Sequence, residues 1–272
     1  MDPWFETAGV CLVAVSGLWA GWACGRFGRV NWVYGYAAGL ALIALLAAVR
    51  FETVLDLAPG LSWLYIGRAK LVLLCFGVTL GFTSCLRRLN KRLERVFVCI
   101  VMAVVVFWFS IMPFLSPALL RADLSSLDTQ LDPGGVCLQS TDFTCGPAAA
   151  VTALKLLGFE ASEGRIAVMA RSNPLTGTLP GSLCSALRRY YRRAGLECRY
   201  VRFDSVGELE RPEVTLVVVK DSFLRDHYVT VIDVSETAVT VADPAVGRKV
   251  LSRSRFEQVW RFCGIVLNKT AS

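Results

Sequence analysis

A chain of 272 residues that is 54% hydrophobic and 19% charged, with a mean hydropathy of +0.51, is too apolar to be wholly water-soluble and long enough for about two domains. Its net charge of +7 does not indicate nucleic acid, because the basic residues of the first half are confined to short segments between apolar stretches, a membrane-topology pattern. Ten cysteines without a C-x-x-C spacing, and a single histidine, argue against a zinc site.

Residues 7–25 and 30–49 are uncharged runs of 19 and 20 residues, each enough to cross a hydrocarbon core of ~30 Å as a helix. The third run, 71–86, has only 16 uncharged residues and must borrow from 61–70, with Arg68 and Lys70 reaching toward one membrane surface. The fourth, 96–120, has 25, and Pro113 and Pro117 predict an end or a kink near Met112. Residues 1–120 therefore read as a transmembrane region of about four helices in a lipid bilayer. The leading Met1-Asp2-Pro3-Trp4-Phe5-Glu6 is acidic where a secretory signal is basic, so the first helix is expected to stay attached.

Basic loops orient such a bundle. Arg26 and Arg29 follow the first span, and Arg87, Arg88, Lys91, Arg92 and Arg95 separate the third from the fourth; both loops are expected in the cytoplasm. Asp2 and Glu6, then Arg50, Glu52 and Asp56, then Arg121, Asp123, Asp128 and Asp132 fall on the other side, which places the C-terminal half outside the cytoplasm. Trp4, Trp32, Tyr34, Tyr36, Trp63 and Tyr65 lie near span ends and read as interface anchors. No acidic or histidine side chain falls inside a span, so this half is expected to anchor rather than to hold an ion or cofactor.

Residues 121–135 are polar, end in Asp132-Pro133-Gly134-Gly135 and read as a linker; the glycine pair reads as a turn rather than a self-processing site. A second domain then spans 136–272. Within it, Gln139-Ser140-Thr141-Asp142-Phe143-Thr144-Cys145-Gly146-Pro147 runs into an apolar helix-forming stretch that stops at Gly158, which puts Cys145 at a helix N-terminus. The partial positive charge of a helix N-terminus favours a thiolate, the nucleophilic form of cysteine. A lone cysteine is more often a small buried hydrophobe, so the weight comes from its company.

Helices are expected over 146–157, 162–170 and 181–194, followed by a mainly antiparallel sheet with strands at 197–203, 214–219, 227–233, 237–242 and 264–267. Arg188, Arg189, Arg192 and Arg193 around Tyr190 and Tyr191 read as a solvated helix face. His227, the sole histidine, opens an alternating apolar strand, and Ser235-Glu236-Thr237 reads as the turn of a hairpin. A turn centred on Ser235 sets His227 opposite Asp243, on a face shared with Val229, Val231, Val239 and Val241. Cysteine at a helix start, histidine, and a carboxylate to orient it are the parts of a nucleophilic triad.

The stretch 139–147 with Gln139 six residues before Cys145, the pair His227-Tyr228, and Ala242-Asp243-Pro244 resemble the bacteriocin-processing cysteine peptidase family, whose papain-like domains remove leader peptides after a double glycine. The similarity runs over about 136–267 and takes in Gly247 and residues 256–260. It implies an α+β papain-like peptidase in which Cys145 attacks, His227 moves the proton, Asp243 orients the ring and Gln139 helps bind the oxyanion. It also implies a peptide substrate; with the spans above, the chain is expected to be a multi-pass protein of a bacterial inner or plasma membrane, and no cofactor is expected. With no G-x-x-x-x-G-K-[ST] sequence, any transporter that delivers the peptide is a separate chain. The rival reading is a membrane-tethered peptide-binding domain of the same fold without catalysis. Cys137, Cys184, Cys198 and Cys263 can pair in three ways, among which the sequence does not choose.

Overall fold

The computed structural model describes residues 3–26, 30–51, 68–210, 213–221 and 226–270, in two units, Met1–Leu119 and Leu120–Ser272. Asp2, Arg29, Glu52, Asp56, Trp63 and Tyr65, used above for topology and interface, lie outside the described residues, as do 61–67 of the expected third span.

Among the described residues the first unit contains α1 (Pro3–Arg26), α2 (Asn31–Phe51), α3 (Ala69–Cys85), α4 (Arg92–Val106) and α5 (Met112–Leu119). They supply, among the described residues, four helical stretches long and apolar enough to cross a membrane, α4 and α5 forming one of them. A helix that is apolar all round has no single buried face, and Phe5, Leu12, Trp19, Leu93 and Phe97 accordingly point outward from the unit. Inside it, small residues let the backbones meet. A Cβ added at Gly39 of α2 would sit 2.6 Å from the Gly77 carbonyl and 2.7 Å from Gly81 Cα of α3, and one at Gly21 of α1 would sit 2.7 Å from the Leu80 carbonyl. Glycines four apart on facing helices are a packing device for membrane helices. At one end, Arg68 and Glu6 form an ion pair of 3.1 Å that ties the approach to α3 to the first turn of α1.

The fourth stretch does not stop near Met112 as its prolines suggested. A π-helical turn over Phe107–Ile111 lets the Met112 N–H reach back to the Phe107 carbonyl, and this wider turn takes up Pro113, which has no N–H to give. The helix then runs to Leu119 with Pro117 inside it. Gly39→Leu is expected to force α2 off α3, because backbone atoms rather than side chains stand in the way. Overpacking of this kind costs about 1–3 kcal/mol. Alkylation of Cys75, fully buried in this unit, should quicken by roughly 10–100-fold, the same free energy expressed as an opening equilibrium.

In the second unit, residues 121–135 are more than a linker. They form α6 (Arg121–Ser125) and β1 (Gln130–Leu131), which pairs with β2 (Cys137–Leu138) across a turn fixed by Asp132, whose carboxylate accepts the Val136 N–H at 2.8 Å. Three helices follow, α7 (Cys145–Leu156), α8 (Glu163–Ala170) and α9 (Pro180–Tyr191). The sheet comprises β3 (Leu196–Arg202), β4 (Val214–Lys220), β5 (Asp226–Val234), β6 (Ala238–Asp243), β7 (Gly247–Ser252) and β8 (Trp260–Lys269), with α10 (Arg253–Val259) before the last strand. All pairings are antiparallel in the order β3-β8-β4-β5-β6-β7, so the final strand inserts between β3 and β4. The fold is the α+β type expected.

Both faces of the sheet are covered. Leu216, Val218, Tyr228, Ile265 and Leu267 pack under the helices against Val151, Leu154, Ile166, Leu183 and Leu187. Val217, Val229, Val231, Val239 and Val241 face the other way onto Phe203, Leu209, Phe256 and Trp260. Full burial of each such side chain contributes about 1.5–3 kcal/mol relative to exposure. The run Ala148-Ala149-Ala150 leaves room for α7 to lie close on the sheet, and the Thr230 hydroxyl pins it there by donating to the Ala149 carbonyl at 2.9 Å.

Candidate active site

Cys145 begins α7 because the preceding residues wind into a turn. The Thr144 N–H donates to the Thr141 carbonyl at 3.3 Å, the Thr144 hydroxyl accepts the Thr141 N–H at 3.1 Å, and the Ala148 N–H closes the first helical turn on the Thr144 carbonyl at 3.0 Å. The opening N–H groups of a helix have no intrahelical acceptor, and Pro147 contributes none, so those of Cys145 and Gly146 are the donors at this helix start. Gly146 is constrained by space: a Cβ there would meet that of Thr178 at 3.0 Å. Cys145 is 7% exposed.

His227 is the second residue of β5, and its Nε2 lies 2.6 Å from Oδ1 of Asp243 at the end of β6. The two side chains are 15% and 13% exposed. Burial is the largest influence on the ring and pulls its pKa down. The interaction with Asp243, and then that with Cys145, outweigh it and lift the pKa from 6.5 to about 9. With Nε2 committed to Asp243, Nδ1 is the nitrogen left for the Cys145 thiol. On Asp243 burial acts upward, but the hydrogen bonds from His227 and from the Ala245 N–H (2.9 Å), with the charges of His227 and Lys249, hold the carboxyl below its usual range. The structure thus brings His227 and Asp243 into contact, and Cys145 acts on the same ring.

The register that brings them together differs from the one expected. The turn spans Ser235 to Ala238, a bulge falls between Val231 and Asp233, and the ladder runs through Thr230–Ala242. Continued one step, it sets Asp243 across from Val229, so carboxylate and imidazole share a face but meet on the diagonal. Gln139 is held close by: its N–H donates to the carbonyl of Pro244, next to Asp243, at 2.9 Å. Its side-chain Nε2 gives one proton to the Thr141 carbonyl at 3.0 Å, and its Oε1 is buried without a hydrogen-bond partner. Gln139 is therefore braced against the turn that leads to Cys145, with one amide proton remaining.

Two supports were not evident in the sequence. The fully buried Glu163 accepts the Ser140 N–H at 2.9 Å and the Ser140 hydroxyl at 2.7 Å, clamping the loop between Gln139 and Cys145 to α8. The Arg261 guanidinium donates twice to Asp226 Oδ1, at 3.0 and 2.9 Å, and so fixes the residue before His227. Glu163 reads in sequence as an ordinary first-turn acid, and Arg261 as one more exposed base. Among the described residues no group of three or more His, Cys, Asp or Glu is arranged to hold a metal ion.

The profile of the peptidase C39 family matches residues 135–272. Among curated proteins the chain is 30% identical over 141 residues to an uncharacterised protein of Methanothermobacter thermautotrophicus, covering 52% of this chain and 92% of that one. It is also 29% identical over 131 residues to the probable functional amyloid protease FapD of Pseudomonas aeruginosa, covering 47% of this chain and 57% of that protein. Among solved structures it is similar to the peptidase domain of Streptococcus ComA, a bi-functional ABC transporter of a quorum sensing pathway. That match has 22% identity and a TM-score of 0.42, over 49% of this chain and 96% of that one.

Proposed function

The chain belongs to the peptidase C39 family, and from that premise we propose that it is a membrane-anchored cysteine peptidase working through Cys145, His227 and Asp243. The observation that carries this reading is the His227 ring, whose Nε2 lies 2.6 Å from the Asp243 carboxylate and whose pKa is raised by Asp243 and by the neighbouring Cys145. In the proposed mechanism Cys145 passes its proton to His227 and the thiolate attacks a peptide carbonyl. The imidazolium then protonates the leaving amine, and water activated by the same imidazole resolves the thioester. The developing oxyanion is held by the N–H at the start of α7 and by the remaining amide proton of Gln139. Asp243 keeps the ring in one orientation and tautomer throughout.

The four apolar helical stretches supply the anchor, and the basic loops around Arg26 and Arg87–Arg88 favour an orientation with the peptidase outside the cytoplasm. The substrate class we assign is a peptide cleaved after a glycine pair at the membrane surface, handed over by a separate transporter. Sealed membrane vesicles test site and side together. Right-side-out vesicles should cleave an added membrane-impermeant peptide carrying a glycine pair, with the new C-terminus found after the second glycine by mass spectrometry. Inverted vesicles should cleave it only once permeabilised, and iodoacetamide should stop the reaction. Peptide captured but never cut would favour the binding-domain alternative; cutting by inverted vesicles alone would reverse the orientation.

A further inference from the structure

Outside the site, one pair of reactive groups has no part in the proposed mechanism. Cys184, in the second turn of α9, and Cys198, on β3, place their Sγ atoms 3.0 Å apart, with the Cys198 thiol donating to Cys184. They are 4% and 2% exposed. A bonded pair of sulfurs lies ~2.05 Å apart, so closure needs a movement of only about 1 Å. Arg188, one turn further along α9, braces the same spot. Its Nε and Nη2 donate to the Cys198 carbonyl at 3.1 and 2.8 Å, and Nη2 also lies 3.8 Å from Cys184 Sγ.

We infer that Cys184 and Cys198 are a disulfide-forming pair, oxidised by thiol–disulfide exchange with an external disulfide, which staples α9 to β3. Among the bonds open to the sequence, the geometry favours the one between Cys184 and Cys198. The Cys184 sulfur acts first. The hydrogen bond from Cys198, and then the Arg188 cation, favour its anion and lower its pKa against the opposing effect of burial. The Cys184 thiolate attacks one sulfur of an incoming disulfide, whose S–S bond breaks and releases one thiolate. Cys198 then loses its proton to solvent, and its sulfur attacks Cys184 Sγ in the mixed disulfide and expels the second thiolate. Two protein thiols are oxidised and one external disulfide is reduced to two thiols. Because both sulfurs are buried, exchange takes place while α9 is lifted from β3, and closure then shields the bond from reductants.

The staple bears on the site through Thr178, which precedes α9 by two residues. Thr178 packs against Gly146 beside Cys145, accepts the Tyr228 hydroxyl at 3.1 Å beside His227, and shares a 2.6 Å hydrogen bond between its Oγ1 and Ser172. Locking α9 to the sheet therefore secures a residue wedged between the neighbours of nucleophile and base.

The test treats the purified full chain with oxidised glutathione, blocks free thiols with an alkylating agent in denaturant, and maps the peptides. The peptide containing Cys184 should be joined to that containing Cys198 and be two hydrogens lighter than the sum of the two thiol forms. Reduction of the bond should lower the thermal midpoint of this unit by roughly 5–10 °C, and Cys198→Ala should remove that redox dependence. Finding both residues alkylated after oxidation, or either joined to Cys137 or Cys263, would overturn the pairing. A joined pair with an unchanged midpoint would overturn the staple. None of these readouts depends on peptide cleavage, so failure here and failure of the peptidase reading are separable.

Discussion

Cys145→Ala is expected to lower kcat/KM for peptide cleavage by about 10⁴-fold or more while leaving the fold in place. The side chain is small and nearly buried at the first turn of α7, among alanines that already tolerate a methyl group at this packing distance. Loss of one sulfur removes little buried area, so the thermal midpoint should move by only a few degrees. Peptide affinity should change little, since the thiol acts on the reacting carbonyl and not on the bulk of the peptide. A second readout follows from the chain having one histidine, which gives a single imidazole to titrate by NMR. Part of what raises the His227 pKa to about 9 is the Cys145 thiol, so the alanine variant should titrate lower. Activity within tenfold of the parent would mean that another group attacks, and an unmoved imidazole would mean that the thiol and ring do not interact.

The parts legible in the sequence were those set by local chemistry or simple periodicity. Gly158, the apolar run before it and the turn-forming residues 139–144 mark the start and end of α7 within one residue of where they fall. The valine alternation marks β5 and β6. What was missed depends on tertiary context. β7 is a largely exposed edge strand carrying Arg248 and Lys249, so it lacks the apolar alternation that identifies a half-buried strand. The turn is centred beyond Ser235 and the bulge between Val231 and Asp233, which leaves no residue signature, takes back one residue, so the ladder ends two residues away from a count centred on Ser235. His227 and Asp243 nonetheless meet, because the displacement preserves their common face. The glycine spacings of α2 and α3 were visible but acquire meaning only when the two helices are seen to face each other.

Asp243→Ala is expected to cost about 10²–10³-fold in kcat/KM, since the carboxylate orients the base and does not itself exchange atoms with substrate. Asp243→Asn should recover part of that loss, because an amide oxygen can still accept the Nε2 proton and hold the ring. The alanine variant also changes the response to pH in a predictable direction. The folded-state pKa of His227 is raised from 6.5 to about 9, so the imidazolium contributes stability that is complete below 6.5 and is lost as pH rises through about 9. Asp243 is depressed below 3.8, so its contribution is present above that value and is lost as pH falls through its lower folded-state pKa. The pair therefore stabilises the parent most between about pH 4 and 6.5, and stability should decline on both sides. Without the carboxylate the acid limb due to this residue disappears. The ring, still buried and left with Cys145 alone, titrates lower, so the alkaline limb moves down from about 9. Thermal midpoints of parent and variant across pH 3–10 should differ most on the central plateau and converge toward both extremes. An alkaline limb that stays near pH 9 in the variant would show that the charge of Asp243 is not what holds the proton on His227.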